Sequence, residues 1–568
     1  FFKQKTAYEM LRSLVGSEMC IRDREFDVVI TGGAVVDGTG RPRFRADLGI
    51  HNGRIAAIAT DQLLTGHIDI DATGLVVAPG FIDAHSHSDW IMPLPDHDEI
   101  LALLLLQGVT TLVTGQCGFS PAPATAESIP LLDGFSEMLR ERTFDYRWRT
   151  FGEFLDAVGR DGLLLNAGFL VGHGALRYAA MGARADTSAS PTADELQALC
   201  RLARQALQEG ALGLSAGLAY APGVFAANDE LLALLRVVAE AQAPFSVHGR
   251  AYTWVSPFYK PMLLGTPHNV RSIRELLALA QQAGVRLQLS HLLFVGRRTW
   301  RTHRTVLRDV QRAAAEGLDV AFDAFPYTVG NSTINVVFPA WFLDGFERNI
   351  DDPQALRRLR REMDLLRWTL GIDYRDITLL WGRAPELVEL EGLDFATIAG
   401  RLGLSQFDAY ARVARASDGK ARVLLGTYSG VGEREEPLRA VLAHPLCAFM
   451  TDTILTRRGR HNPASFGTFP RVLGRYSRDL GLFSLEEAVR RMTSFPAERM
   501  GLEGVGRIAK GCPADLVLFD PAEVADHTTP AQADVPPTGI RAVLLSGRVV
   551  VRDGRVVDTG RWGRVLRG

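Results

Sequence analysis

The stretch Val76-Val77-Ala78-Pro79-Gly80-Phe81-Ile82-Asp83-Ala84-His85-Ser86-His87 decides the fold. An unbroken apolar run ending in an acid reads as a strand buried on both faces, the kind that parallel sheets contain. The H-x-H pair then places two imidazoles on the same side of an extended segment, which suits two ligands of one metal ion. Taken alone, H-x-H is a weak signal. Directly after a buried strand it is a strong one, because α/β barrels collect their chemistry at the C-terminal ends of their strands.

Outward from this stretch, apolar segments alternate with helical ones. Strands are expected at 76–83, 110–116, 164–172, 212–216, 244–247, 286–290, 319–322 and 446–451, with helices such as 193–209, 229–241, 270–283 and 304–316 between them. Alternation of this kind implies βα units and a parallel sheet, and eight strands imply a (β/α)8 barrel; a doubly wound open sheet is the alternative. The gap between the seventh and eighth strands is far longer than one helical crossover, so an insertion is expected within about 328–440, placed as a lid over the barrel mouth. Short period-2 strands with glycine turns appear only near the two ends of the chain. Neither group can bury a core alone, so 25–79 and 506–568 are expected to fold together as a small β-sandwich, leaving 80–505 as the barrel. Residues 1–24 read differently: Met19-Cys20-Ile21-Arg22-Asp23 is what a sequencing-adapter fragment would encode, and this segment is expected to be a non-native leader.

The composition of the 568-residue chain, 47% hydrophobic and 23% charged, excludes a disordered protein. The 63 basic and 65 acidic residues nearly cancel, which leaves no electrostatic footprint for nucleic acid or an anionic membrane. The longest aliphatic run, 100–106, is far short of the roughly 20 residues that span a bilayer. A small-molecule partner and a cytoplasmic location are therefore expected. Five cysteines, at 20, 117, 200, 447 and 512, form no disulfide framework, and Cys200, Cys447 and Cys512 read as apolar filler.

The ionisable residues cluster where a barrel would use them. His85 and His87 follow strand one, Cys117 strand two, His173 strand three, His248 strand five, His291 strand six, Asp323 strand seven and Asp452 strand eight. The chain has 13 histidines, and five of them fall at strand ends. Singly, His248 and His291 read as core or surface histidines and Cys117 as a small buried hydrophobe; together they read as metal ligands, with the thiol deprotonated by the ion. Asp452 follows an apolar strand, where an unpaired acid is costly, and beside a metal it can handle the proton of an attacking water. His173 divides evenly between a substrate contact and a structural turn, and Tyr327 between an oxyanion or substrate donor and core packing.

With these residues in place, the sequence resembles the amidohydrolase superfamily, and within it the N-acyl-D-amino-acid deacylases. The resemblance rests on residues 78–87, Gly108-Val109-Thr110-Thr111 through Gly118, Gly213-Leu214-Ser215-Ala216-Gly217-Leu218 with Tyr220-Ala221-Pro222-Gly223, Ser290-His291, Asp323 with Pro326-Tyr327, and Phe466-Gly467-Thr468-Phe469-Pro470-Arg471. It implies a zinc enzyme in which Cys117 takes the bridging place that a carboxylated lysine fills in many relatives; strand four here has no lysine to carboxylate. It further implies that Cys117, His248 and His291 hold a tight zinc, that His85, His87 and the same Cys117 form a weaker second site, and that Asp452 is the catalytic acid/base.

The departures concern specificity. Leu293 stands where the family often has lysine, Asn462-Pro463-Ala464 replaces His-Pro-Arg, and no acid follows Arg250. Cations that would hold a substrate carboxylate are missing, with Arg250, Arg457, Arg458 and Arg460 as replacements in view. The expected activity is hydrolysis of an acyclic amide, most simply deacylation of an N-acyl-D-amino acid. The alternatives are a cyclic-amide hydrolase of the hydantoin or dihydropyrimidine type and a non-catalytic ligand-binding barrel.

Overall fold

A computed structural model describes residues 26–61, 64–187, 190–260 and 265–568; the expected leader lies outside them. Strands Phe26–Thr31, Asp47–His51, Arg54–Ala59 and Gly66–Asp71 form a four-stranded sheet. A seven-stranded sheet combines Ala34–Val35, Phe44–Arg45 and Val76–Pro79 with Leu516–Phe519, Ile540–Leu545, Arg548–Arg552 and Arg555–Val556. The two sheets share a core that includes Val28, Ile30, Leu48, Ile50, Val77, Leu516, Leu518 and Leu544. Neither end of the chain could bury these side chains without the other.

The opening stretch is not one strand. Val76–Pro79 pairs with Leu516–Phe519 in the sandwich, and only Phe81–Asp83 joins the barrel. Gly80 is the hand-over point: a Cβ there would lie 2.2 Å from Thr110 Oγ1, so only glycine lets the chain cross the second barrel strand this closely.

The barrel strands are Phe81–Asp83, Val109–Thr114, a third in two pieces (Asn166–Phe169 and Val171–Gly172), Leu214–Gly217, Pro244–His248, Arg286–Leu289, Val320–Ala324 and Cys447–Phe449. Successive neighbours pair in parallel. Beyond the ends of strands one and eight, a parallel bridge joins Ser86 to Thr453, and Asp83 Oδ1 accepts from the Thr451 N–H at 2.9 Å. The intervening helices follow the sequence pattern. Ala193–Gln208, for example, starts at a capping box in which Thr192 and Glu195 satisfy each other's backbone N–H groups, and it buries Leu199, Ala203 and Ala206.

One element departs from the expected sandwich. Val565–Leu566 leaves it to pair in parallel with Asn166–Phe169. Here the chain of strand three bonds the terminal segment instead of strand four: Ala167 N–H donates to Arg564 O at 2.9 Å, and Arg564 N–H donates to Asn166 Oδ1 at 3.1 Å.

Between strands seven and eight, Gly330–Thr333, Ile377–Trp381 and Arg422–Leu425 make an antiparallel sheet. Helices Pro353–Leu370, Phe395–Leu402 and Gln406–Ala416 pack on it around Leu359, Leu379, Phe395, Tyr410 and Val423. This unit rests on loops that follow barrel strands, through a Val295–Tyr428 bridge, an Arg297–Asp376 ion pair of 2.6 Å and an Arg383–Glu137 ion pair of 2.5 Å. It therefore sits on the C-terminal side of the barrel. Among the described residues, no helix is long and apolar enough to cross a membrane.

Candidate metal centre

The strand ends bring His85, His87, Cys117, His248, His291 and Asp452 together. Cys117 Sγ lies 3.3 Å from His85 Nε2, 3.4 Å from His291 Nε2 and 3.9 Å from His248 Nδ1. His248 Nδ1 and His291 Nε2 are 3.0 Å apart. Two triads have all their donor atoms within 4.8 Å of one another: His85, His87 and Cys117, and Cys117, His248 and His291, with the thiol common to both. Metal–ligand bonds of 2.0–2.3 Å put the donors of a tetrahedral site roughly 3.5 Å apart. The distances at the thiol fit that spacing, while the His248–His291 approach is tighter than it requires.

Asp452 closes the group, its Oδ1 3.4 Å from His87 Nε2 and 3.6 Å from His85 Nε2. Three of these residues turn through the left-handed region: Cys117 at φ +56°, His291 at +32° and Asp452 at +52°. Each such residue costs about 1–3 kcal/mol, and such strain survives only where surrounding contacts fix it.

The electrostatics separate this thiol from the other buried one. Burial pushes Cys447 up to about 12. Burial also acts to raise Cys117, but the charges of His85 and His291 and hydrogen bonds to His248 and His291 outweigh it and hold the thiol well below its ordinary value. Burial lowers His248, reinforced by the neighbouring His291. For His87 burial is opposed by Asp452 and Cys117, which raise it to about 9. Burial opposes ionisation of Asp452 as well, yet the His87 hydrogen bond and the charges of His85 and His291 bring it down to about 2. A desolvated thiolate, a carboxylate and converging imidazole nitrogens need a cation among them. The donor set fits a divalent ion.

Two further carboxylates organise these ligands. Asp323 accepts from the His291 N–H at 2.6 Å and from Gln288 Nε2 at 3.0 Å, and it lies 3.6 Å from His85 Nδ1. Asp83 is raised to about 7 by burial against the opposing hydrogen bonds of Thr451 and His85. Sequence reasoning missed Tyr220 and Tyr252, whose rings meet His248 edge-on at centroid distances of 5.2 and 5.0 Å. Their proximity to strand ends was the available signal.

The residues expected to meet substrate have other partners. Arg250 donates to Glu275 at 3.1 Å and to the Ala226 carbonyl at 2.6 Å. His173 Nε2 lies 2.7 Å from Glu230 Oε1, and the other Glu230 oxygen accepts from Arg177 at 2.6 Å. Tyr327 Oη bonds Thr528 at 3.0 Å, with Arg471 over its ring. Arg457 pairs with Asp96 and Glu99, and Arg458 lies 3.9 Å from Glu141. Arg460 is exposed, and Leu293 and Ala464 are buried apolar positions.

Comparison with known proteins extends this picture. The amidohydrolase family pattern matches residues 70–557. D-aminoacylase of Alcaligenes xylosoxydans xylosoxydans is 33% identical over 95% of this chain and 97% of its own length, and the same organism's N-acyl-D-glutamate deacylase is 33% identical over 96% and 97%. Among solved structures, N-acyl-D-glutamate deacylase from Bordetella bronchiseptica, complexed with zinc and a phosphonate mimic of the tetrahedral intermediate, superposes with a TM-score of 0.75 at 32% identity, covering 96% of this chain and 100% of that one. An L-hydantoinase from Arthrobacter aurescens, at 16% identity and a TM-score of 0.56, shares the fold.

Proposed function

We propose, from the premise that the chain belongs to the amidohydrolase family, that it is a zinc-dependent hydrolase that removes the acyl group from an N-acyl-D-amino acid or a related acyclic N-acyl compound. The observation that carries this reading is the sharing of Cys117 by two histidine pairs, with Asp452 beside one of them. His248 and His291 with Cys117 would hold the principal zinc, and His85 and His87 with the same thiolate would offer a second, weaker site. Zinc, when bound, supplies Lewis-acid polarisation of the amide carbonyl and activation of water.

Asp452 is the acid/base. Its carboxylate is ionised, so it can accept a proton from the attacking water at Oδ1 as the C–O bond forms, then deliver that proton to the departing nitrogen as the C–N bond breaks. The products are a carboxylic acid and an amine, and the acid's proton passes to the amine, leaving a carboxylate and an ammonium group. Asp323 and Asp83 touch no substrate in this scheme; they fix His291 and the Thr451–Asp452 turn.

The chain departs from the deacylase pattern at positions where that family often has cations. Leu293 and Ala464 are apolar, Arg250 is engaged by Glu275, and Arg457 by Asp96 and Glu99. We therefore assign a preference for an amide less anionic, or differently charged, than a simple N-acetyl-D-amino acid. Metal analysis of the purified protein, with a panel of N-acyl D- and L-amino acids, their amides and cyclic imides, tests the reading. Zinc-replete protein that opens hydantoins or dihydropyrimidines but leaves every acyclic amide intact would assign it to the cyclic class instead.

A further inference from the structure

We infer that Ser215 and Tyr220, from the fourth barrel strand and the loop after it, are positioning residues that hold the Cys117 thiolate between its two groups of imidazoles. This rests on the reading of Cys117 as a shared zinc ligand. Strand four contributes no ligand of its own, yet it faces the turn that carries the thiol. That turn runs through the left-handed region, at φ +74° and +80° at Gly115 and Gly118, where glycine rests freely, and at +56° at Cys117, where a side chain does not. A side chain bearing a Cβ does not rest there unless neighbouring groups fix the peptide planes on both sides of it.

Ser215 spans the turn. Its buried hydroxyl accepts from the Gly118 N–H at 2.9 Å and donates to the Gly115 carbonyl, joining the residues that flank Gln116 and Cys117. Tyr220 completes the hold, donating its phenolic hydrogen to the Cys117 carbonyl at 2.8 Å. The two elements are in close contact: a Cβ on Gly118 would lie 2.8 Å from Gly217 N, and one on Gly217 would lie 2.3 Å from both Cys117 O and Tyr220 Oη. Gln116, the residue before the thiol, is fixed from the opposite side, donating to Ala84 O at 3.0 Å and accepting from Ser246 Oγ at 2.7 Å. With both sides fixed, Sγ has one direction left, toward His85, His248 and His291. Without the hydroxyl of Ser215, the Gly118 N–H and Gly115 C=O lose this partner in a buried setting, and the turn is free to rotate its peptides toward others.

The test uses full-length protein loaded with Zn2+ or Co2+. In Ser215→Ala, zinc affinity measured against a competing chelator is expected to fall about 10- to 100-fold, the usual cost of losing a group that orients a ligand. The thiolate-to-cobalt absorption of the Co2+ form should weaken or shift, while the metal-free protein melts as the parent does. Ser215→Thr, which keeps the hydroxyl, should recover both signals. Tyr220→Phe, at a half-buried position, should give the same signature in smaller measure, and it decides the matter if Ser215→Ala does not fold. Parent-like zinc affinity and an unaltered cobalt spectrum in Ser215→Ala and Tyr220→Phe would overturn the inference. A parent protein with no thiolate-to-cobalt absorption at all would instead overturn the metal assignment of Cys117.

Discussion

Two buried histidine clusters lie at the strand ends of this barrel, and they differ in how their charges are matched. Around His173, Glu230 takes one hydrogen bond from the imidazole and another from Arg177, so a carboxylate, an imidazole and a guanidinium satisfy one another. Around Cys117, a thiolate, a carboxylate and four imidazoles converge with no lysine or arginine among them. The first cluster carries its own permanent cation, and the second needs an added one. A buried histidine is a ligand candidate when its neighbours are other lone-pair donors, and a structural residue when a carboxylate and a permanent cation already account for it.

The sharpest way to break this contrast is Asp452→Asn. The amide is nearly isosteric but cannot accept a proton, so kcat/KM is expected to fall about 10²- to 10⁴-fold with zinc content unchanged. Near-parental turnover in a zinc-replete variant would remove Asp452 from the proton-transfer role.

Glu230→Gln probes the other cluster. Removing the negative charge from this buried carboxylate–guanidinium pair is expected to destabilise the protein by about 3–5 kcal/mol. Metal content should not change; zinc lost from a still-folded variant would join the two clusters functionally. The same carboxylate predicts an acid limb of stability. Burial alone would raise Glu230, but His173 and Arg177 hold it below its ordinary 4.5. Its contribution is therefore complete above about pH 4.5 and lost as pH falls through the lower native value. Melting curves from pH 6 to 3 should show the parent losing stability relative to Glu230→Gln over that window, and parallel curves would contradict the assignment.

The smallest effect concerns substrate charge. Each missing charge-assisted contact is worth roughly 1.5–3 kcal/mol when desolvated, or about 10- to 100-fold in kcat/KM. N-acetyl-D-amino acids are expected to react less well than their uncharged amides. A strong preference for the free acid would point to a cation reaching the pocket, and Arg460, which is exposed, and Arg458, whose carboxylate partner Glu141 is 3.9 Å away, would be the residues to replace first.

The sequence carried the site better than the substrate contacts. His85, His87, Cys117, His248, His291 and Asp452 were legible because each terminates an apolar run, and the pattern of runs fixes which end of the barrel they share. Arg250, His173 and Tyr327 were expected near substrate, and the partners that the fold gives them, Glu275, Glu230 and Thr528, lie 25, 57 and 201 residues away. No local pattern reveals that a side chain is already engaged. The split of the opening stretch at Gly80 was hidden for a related reason: an apolar run looks the same whether one sheet or two consecutive sheets bury it. The left-handed turns at His291 and Asp452 had no glycine to announce them.

The pairing of Val565–Leu566 with Asn166–Phe169 has a kinetic consequence. Most barrel strands find partners one βα unit away, but this one must await a segment made nearly four hundred residues later. Contacts so distant along the chain are slow to form, and the unpaired strand edge is open to other partners meanwhile. That edge of the third strand is thus covered later than its edge against the second strand. A chain halted before Arg564 should betray this by rapid hydrogen exchange at the Ala167 amide.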